Sequence, residues 1–307
     1  MKSNDIAPFL GELGKSLQLD MEDYCSLDSA NIAPADWRDL ALRIGSVADQ
    51  YDGIVIIHGT DTMAFTASMF SFMLRNVPIP IVLTGSQMPI DLPMSDGVEN
   101  CRCAIQMAAN GYPGVYVAFD HKIMLGCRTS KVRTLSYNAF ESINYPYVGE
   151  VNALGLQLRK QERPGKGDFQ LNVSYSDRIA VLKLFPGMNL EIFRFLEERG
   201  YEGIFIESFG LGGAPFREGG VVSEIRRASE AGLPILVGSQ CRYEGSNLSI
   251  YETGQRVLEC GGIPVHDMTL EAVVTKLMWC LGQSKKREDI CTQFQTNLAQ
   301  EVTLGER

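Results

Sequence analysis

Five consecutive residues, His58-Gly59-Thr60-Asp61-Thr62, place four polar side chains and a glycine in one short segment. An apolar, β-branched run (Tyr51 to Ile57, YDGIVII) precedes it, and a stretch rich in Ala, Met, Phe and Leu follows. A glycine at such a junction permits a tight turn or a close backbone approach to a ligand. A helix start offers unpaired N–H groups to an anion. Thr60 carries a hydroxyl that could attack or position a carbonyl. Asp61 could accept hydrogen bonds from an ammonium group or orient a base. Capping of the helix by Thr60 or Asp61 is the plain alternative, but capping needs one such residue and the segment has four.

Gly126-Cys127-Arg128-Thr129-Ser130-Lys131 sets a lysine beside two hydroxyls. A lysine desolvated in a cleft can lose its proton and activate a threonine or serine. Its relevance to Thr60 depends on the two meeting in space. Thr84-Gly85-Ser86-Gln87-Met88-Pro89 is a second polar rim, readable also as a turn with a hydroxyl cap. Ser95-Asp96-Gly97 reads as a turn plus a cap. Asp28-Ser29-Ala30-Asn31 alone reads as a turn, and Pro34-Ala35-Asp36-Trp37 as a helix start. His121 and His266 are far apart and have no ligand at zinc spacing, and Cys101-Arg102-Cys103 has one intervening residue rather than two or more. No metal site is therefore expected. Ser208-Phe209-Gly210-Leu211-Gly212-Gly213 lacks the context of a dinucleotide site, and no G-x-S-x-G elbow stands out. No cofactor is expected.

The elements that must hold these residues read as β-α-β-α-β: strands over 51–57, 81–84 and 115–119, with helices over 62–76 and 96–110. The strands are near-continuous apolar runs joined by short connections, which points to a mostly parallel sheet covered on both faces. In such sheets ligands bind beyond the carboxyl ends of the strands, where His58 to Thr62 and Thr84 to Gln87 both fall. From Ser136 to Asn172 prolines, glycines and charges replace the periodic pattern and suggest a domain edge with a linker. A second α/β set follows, with strands over 179–184, 203–206 and 234–237 and helices over 190–198, 221–231, 270–281 and 287–300. The expected organisation is an α/β domain over 1–165 and a smaller one over 175–307.

The bulk composition narrows the function. Of 307 residues 45% are apolar and 21% charged, an ordinary composition for a water-borne protein with a sizeable core. The formal net charge of −9 argues against nucleic acid as a partner. No run approaches the length of a membrane span, and the first twenty residues lack the plan of a signal peptide. Eight cysteines in a chain of this length do not make a disulfide framework. A cytoplasmic location with free thiols is expected.

HGTDTMAFTAS, from His58 to Ser68, resembles the second signature of the bacterial-type L-asparaginase family. VLTGSQMP (Val82 to Pro89), SDG (Ser95 to Gly97) and GCRTSKV (Gly126 to Val132) follow in that family's order and spacing. LDSANIAPADW (Leu27 to Trp37) resembles its substrate-binding turn. GLGGAP (Gly210 to Pro215) and DMTLEAVVTKL (Asp267 to Leu277) resemble the cytoplasmic type I branch. The resemblance implies a two-domain asparaginase-like α/β fold with a larger N-terminal domain, assembled as a homodimer or homotetramer. It implies hydrolysis of L-asparagine to L-aspartate and ammonia without metal or cofactor. Carried over by motif, Thr60 is the second active-site threonine, Lys131 its base partner, and Asp61 the ligand of the substrate's α-amino group and a catalytic support of the relay. Ser29 binds the α-carboxylate, Gly59 shapes the pocket floor, and Ser86 lies on its rim.

The family also opens on a strand running into Thr-Gly-Gly-Thr-Ile, whose first threonine is usually assigned as the nucleophile. That motif does not occur in these 307 residues, and Asn4 to Gly14 resemble the stretch that normally follows it. Three readings stand: Met1 is internal to a longer natural protein, which is the expectation; the gene is truncated and inactive; or Thr60 with Lys131 suffices. Beside the asparaginase stand two alternatives. One is a non-catalytic homologue that binds aspartate or asparagine. The other is an amidohydrolase acting on glutamine or amidated tRNA, such as a Glu-tRNA amidotransferase subunit.

Overall fold

The structure is a computed structural model, which describes residues 10, 16–159, 167–217 and 219–304. Most of Asn4 to Gly14 therefore lies outside the described residues, as do Pro164 and Gly165 of the expected linker. Contacts divide the chain into one unit over Met1–Asn172 and another over Val173–Arg307.

In the first unit, α1 (Pro34–Val47) starts on a proline at its first turn, with the Asp36 carboxylate accepting from the Ala33 N–H at 2.7 Å. It precedes β1 (Ile54–Ile57), α2 (Met63–Met73), β2 (Pro80–Thr84), α3 (Gly97–Ala109) and β3 (Gly114–Phe119). These three strands are parallel and adjacent in the order β1-β2-β3. Every residue of β2 and β3 is buried, which explains their unbroken apolar sequences. α2 buries ten of its eleven residues against the sheet. α3 presents Cys103, Ala104, Met107 and Ala108 to a core shared with Val82, Tyr116 and Ala118. β1 is the outermost strand among the described residues, and Ile57 at its end is 41% exposed.

The sheet does not stop at three parallel strands. It continues antiparallel through β4 (Lys122–Leu125), β7 (Gly149–Asn152) and β8 (Gly155–Leu158), making six strands of mixed sense among the described residues. Between them β5 (Thr129–Lys131) and β6 (Phe140–Ser142) form a separate antiparallel pair. Residues 140–158, read from composition as part of a linker, thus carry strands of the first unit. Their short, half-polar sequences (GEVN, GLQL) sit at the far side of the sheet, where burial is partial and periodicity weak.

The second unit holds a four-stranded parallel sheet, β9 (Ile179–Lys183), β10 (Gly203–Ser208), β11 (Ile235–Ser239) and β12 (Ile263–Pro264), in that order. Helices α4 (Glu191–Glu198), α5 (Val221–Glu230), α6 (Glu252–Glu259), α7 (Leu270–Gln283) and α8 (Arg287–Phe294) accompany it. Phe193, Leu196, Val221, Ile225 and Val257 carry the helices onto a core with Ile204 and Ile235. The sequence reading anticipated most of these but not α6 or β12. The last helix ends at Phe294 rather than reaching Gln300. The two units are each α/β, with the larger sheet in the first, as the sequence reading expects.

Candidate active site

The parallel register fixes where the polar residues gather. Ile57 of β1 pairs with Thr84 of β2, the His58 N–H donates to the Thr84 carbonyl at 2.8 Å, and Thr84 Oγ1 donates to the Ala118 carbonyl of β3 at 2.8 Å. Three strand ends are thus level, and His58, Gly85 and Asp120 begin the loops beyond them. Gly85 has to be glycine, since a Cβ there would lie 2.1 Å from the His58 carbonyl oxygen.

Thr62 is the residue that caps α2, yet no side chain at this helix start donates or accepts as a cap. The capping alternative for Thr60 and Asp61 is not what the structure shows. The Thr62 hydroxyl instead donates to the Ser29 carbonyl at 2.7 Å, and the Asp61 N–H donates to Ser29 Oγ at 3.2 Å. Ser29 is buried in a 3-10 turn, Ser29–Asn31, held from its own N-terminus by the Asp28 carboxylate on the Ala30 N–H at 2.9 Å. A Cβ on Gly59 would stand 2.7 Å from Ser29 Oγ, so glycine is what lets this turn close on the segment.

Lys131 arrives from a distant part of the chain. β4 leads into a 3-10 turn, Gly126–Arg128, that lies against α2, where a Cβ on Gly126 would meet the Ala67 carbonyl at 2.8 Å. β5 follows, aligned by pairing with β6, with Lys131 opposite Phe140. Lys131 Nζ donates to Thr60 Oγ1 at 2.8 Å and to Asp61 Oδ1 at 2.6 Å. The lysine side chain is 18% exposed and that of Asp61 is 64% exposed. A hydroxyl, an amine and a solvent-facing carboxylate thereby share one contact at the mouth of the sheet. Thr60, Asp61, Lys131, Ser29 and Gly59 are drawn together. Ser86 stands on the neighbouring loop, with its Cβ 3.2 Å from where a Cβ on Gly97 would be.

Two features of the site depart from the sequence reading or went unread. Asp96, read as part of a turn plus cap, does stand at the N-cap of α3, but its side chain makes no capping hydrogen bond there. Its carboxylate accepts from the N–H groups of Gln87 and Met88 and from Asn100 Nδ2 at 3.0–3.1 Å, strapping the Ser86 loop to the helix. Asn100, buried, also donates to the Gly85 carbonyl at 2.9 Å and accepts from the Asp120 N–H at 2.9 Å. His58 is the second. Its Nδ1 lies 2.6 Å from the Gly59 carbonyl, which can only accept, so Nδ1 carries the proton. Nε2, 2.9 Å from Thr66 Oγ1, then accepts from that hydroxyl, which in turn accepts from Trp37 Nε1 at 2.9 Å. Burial pushes the His58 pKa below its ordinary value, with the Gly59 contact opposing it. The neutral ring fits this chain of bonds and holds the Gly59–Thr60 peptide. Spacing of eight between His58 and Thr66 gave no local signal for it.

A hydroxyl, an amine, a carboxylate and backbone dipoles gathered in one place are the kinds of group that acyl transfer can use. Among the described residues all eight cysteines are free, and no helix is long and apolar enough to cross a membrane.

Two family models match the chain, "Asparaginase, N-terminal" over residues 1–163 and "Glutaminase/Asparaginase C-terminal domain" over residues 178–294. An L-asparaginase of Thermococcus kodakarensis is 44% identical over 289 residues, spanning 93% of this chain and 87% of that protein. A glutamyl-tRNA(Gln) amidotransferase subunit of Aeropyrum pernix is 33% identical over 323 residues, spanning 99% of this chain and 74% of that one. The solved structure of the thermostable L-asparaginase from Thermococcus kodakarensis matches with a TM-score of 0.95 at 40% identity, over 99% of this chain and 93% of that chain.

Proposed function

The chain belongs to the asparaginase family of amide hydrolases, and from that premise we propose that it converts L-asparagine to L-aspartate and ammonia through an ester on Thr60. The observation that carries the reading is the 2.8 Å contact between Lys131 Nζ and Thr60 Oγ1, made across 71 residues of sequence. Lys131, once its ammonium has given a proton to solvent, accepts the Thr60 proton as the hydroxyl oxygen attacks the side-chain carbonyl. The proton then passes to the amide nitrogen, the C–N bond breaks and ammonia leaves. Water attacks the ester carbonyl and returns the proton to Thr60. Asp61, with its carboxylate open to solvent, holds the substrate's α-ammonium group. Ser29, which accepts from the Asp61 N–H, has its own hydroxyl proton to give to the α-carboxylate. Gly59 keeps the floor open and Ser86 borders the rim. Thr60 is assigned the attack because its hydroxyl is the one in contact with Lys131 Nζ. Membership of the type I branch, a cytoplasmic location and a homodimer or homotetramer belong to the same proposal.

The test is ammonia release from L-asparagine by the 307-residue chain and by Thr60→Ala. Turnover abolished by the substitution supports the assignment. Turnover that survives it, in a protein that still folds, overturns Thr60 as the attacking group. Binding of aspartate or asparagine without ammonia release would identify a non-catalytic homologue. A second reading, glutamine or amidated tRNA as substrate, is favoured by the likeness to a glutamyl-tRNA(Gln) amidotransferase subunit. Ammonia from glutamine or from charged tRNA exceeding that from asparagine would decide for it.

A further inference from the structure

A group of side chains that the proposed hydrolysis does not use gathers beside the start of α3. Glu99 and Cys103 lie one turn apart on the helix, and therefore on one face. His121 comes from the two-residue turn that joins β3 to β4, between the paired residues Phe119 and Lys122. Both turn residues, Asp120 and His121, have positive φ (48° and 62°), a geometry that favours Asn and Gly. The carboxylate oxygen, the thiol sulfur and the imidazole nitrogen all lie within 4.8 Å of one another.

We propose that Glu99, Cys103 and His121 form a binding site for a late transition-metal dication of the zinc class. His121 Nε2 and Glu99 Oε1 stand 3.7 Å apart, too far for a hydrogen bond. Zinc–nitrogen and zinc–oxygen bonds of about 2.0–2.2 Å place such tetrahedral ligands about 3.3–3.5 Å apart, so a shift of a few tenths of an ångström in these half-exposed side chains brings the pair onto one ion. The other oxygen of Glu99 is turned to Arg102 at 3.4 Å, which leaves Oε1 for the metal. One thiolate, one imidazole and one carboxylate suit zinc or cobalt rather than magnesium or calcium, which take oxygen alone. Glu99 and His121 are half-exposed, so water has access to a fourth position.

On binding, the Cys103 S–H bond breaks, its proton leaves to solvent and a sulfur–metal bond forms. Asn100, between Glu99 and Cys103 on the helix, ties the Asp120 N–H to the Gly85 carbonyl and Asp96. An ion here would stiffen the turn that backs the Ser86 loop.

The test is titration of the full chain with Co(II), with the exposed Cys25 and Cys241 and the half-buried Cys291 changed to serine so that no accessible cysteine outside the site can answer. The expected result is one equivalent of Co(II) with a thiolate-to-cobalt charge-transfer band and visible absorption of four-coordinate intensity. Cys103→Ser removes the band. Because Cys103 is buried and that variant can misfold, His121→Gln and Glu99→Gln are the decisive changes, each weakening Co(II) by at least about tenfold with the melting curve intact. Absence of the band in the folded parent, or affinity unchanged in both exposed variants, overturns the site.

Discussion

Replacing Lys131 by methionine separates a catalytic contact from a structural one. The substitution keeps the length and the apolar stem and deletes the ammonium group, with its bonds to Thr60 Oγ1 at 2.8 Å and Asp61 Oδ1 at 2.6 Å. Asp61 is 64% exposed, so its released carboxylate passes to water, and a screened pair of this kind is worth about 0.2–1 kcal/mol. In a domain of this size about 1 kcal/mol moves the melting midpoint by about 2–4 °C. The kinetic effect is larger. A lysine acting as the base for Thr60 contributes about 10²–10⁴ in rate, or about 3–5 kcal/mol of transition-state stabilisation. Lys131→Met therefore loses nearly all ammonia release from L-asparagine while melting within a few degrees of the parent. The assay is steady-state ammonia production over a range of asparagine, with kcat and KM resolved, beside a thermal melt followed by circular dichroism. A kcat within about threefold of the parent, in a sample that melts normally, refutes Lys131 as the base. A rise in KM alone assigns it to binding through Asp61 instead.

Gly59→Ala should lower kcat/KM by about 10–100-fold, because misplacements approaching 1 Å at a reacting centre have effects of that order. Its new Cβ would sit 2.7 Å from Ser29 Oγ, a buried partner that must give way; kinetics within twofold of the parent would show that the turn is free to move. His58 and His266 both have pKa values lowered by burial. The folded chain then binds fewer protons than the unfolded one, so their contribution is complete above about pH 6.5 and is lost as pH falls through the folded values. Each adds up to about 1.4 kcal/mol per pH unit to the slope of stability in that window. His58→Gln should reduce the slope of denaturant stability between about pH 6.5 and 5, and an unchanged slope counts against a neutral buried ring. In the second unit Lys276 and Glu301 pair with both side chains fully buried, and Glu301 also accepts from the Leu298 and Ala299 N–H groups. Lys276→Met strands that carboxylate and should cost about 3–5 kcal/mol in a denaturant melt. A loss under about 1 kcal/mol would mean that the segment carrying Glu301 peels away and finds water.

The parallel half of the first sheet was legible because β2 and β3 are buried on both faces and α2 is buried almost all round and mostly apolar. Burial of that extent leaves unbroken apolar runs, which local reading detects. The antiparallel extension was not. The β3–β4 turn is Asp120-His121, without the Asn-Gly or Asp-Gly that marks a hairpin, and residues 149–158 mix glycine with polar residues in two short strands. Asp96 was misread for a related reason. A carboxylate before a helix ordinarily caps that helix, and here the Ser86 loop, eight to nine residues upstream, supplies competing N–H donors.

What the sequence determined by itself was therefore the chemistry on offer and the places where it could stand. A threonine, an aspartate and a glycine follow one buried strand, a serine sits in an early turn, and a lysine lies beside hydroxyls further on. Side-chain type and local period depend on near neighbours, so they survive in one dimension. Only the tertiary structure decided that Lys131 meets Thr60, that Ser29 receives the Asp61 N–H, and that the His58 ring bridges the Gly59 carbonyl and Thr66 Oγ1. Those contacts depend on strand order and register and on the packing of the Gly126–Arg128 turn against α2. Such quantities arise from the cooperative burial of the whole sheet, and no short stretch of residues carries them.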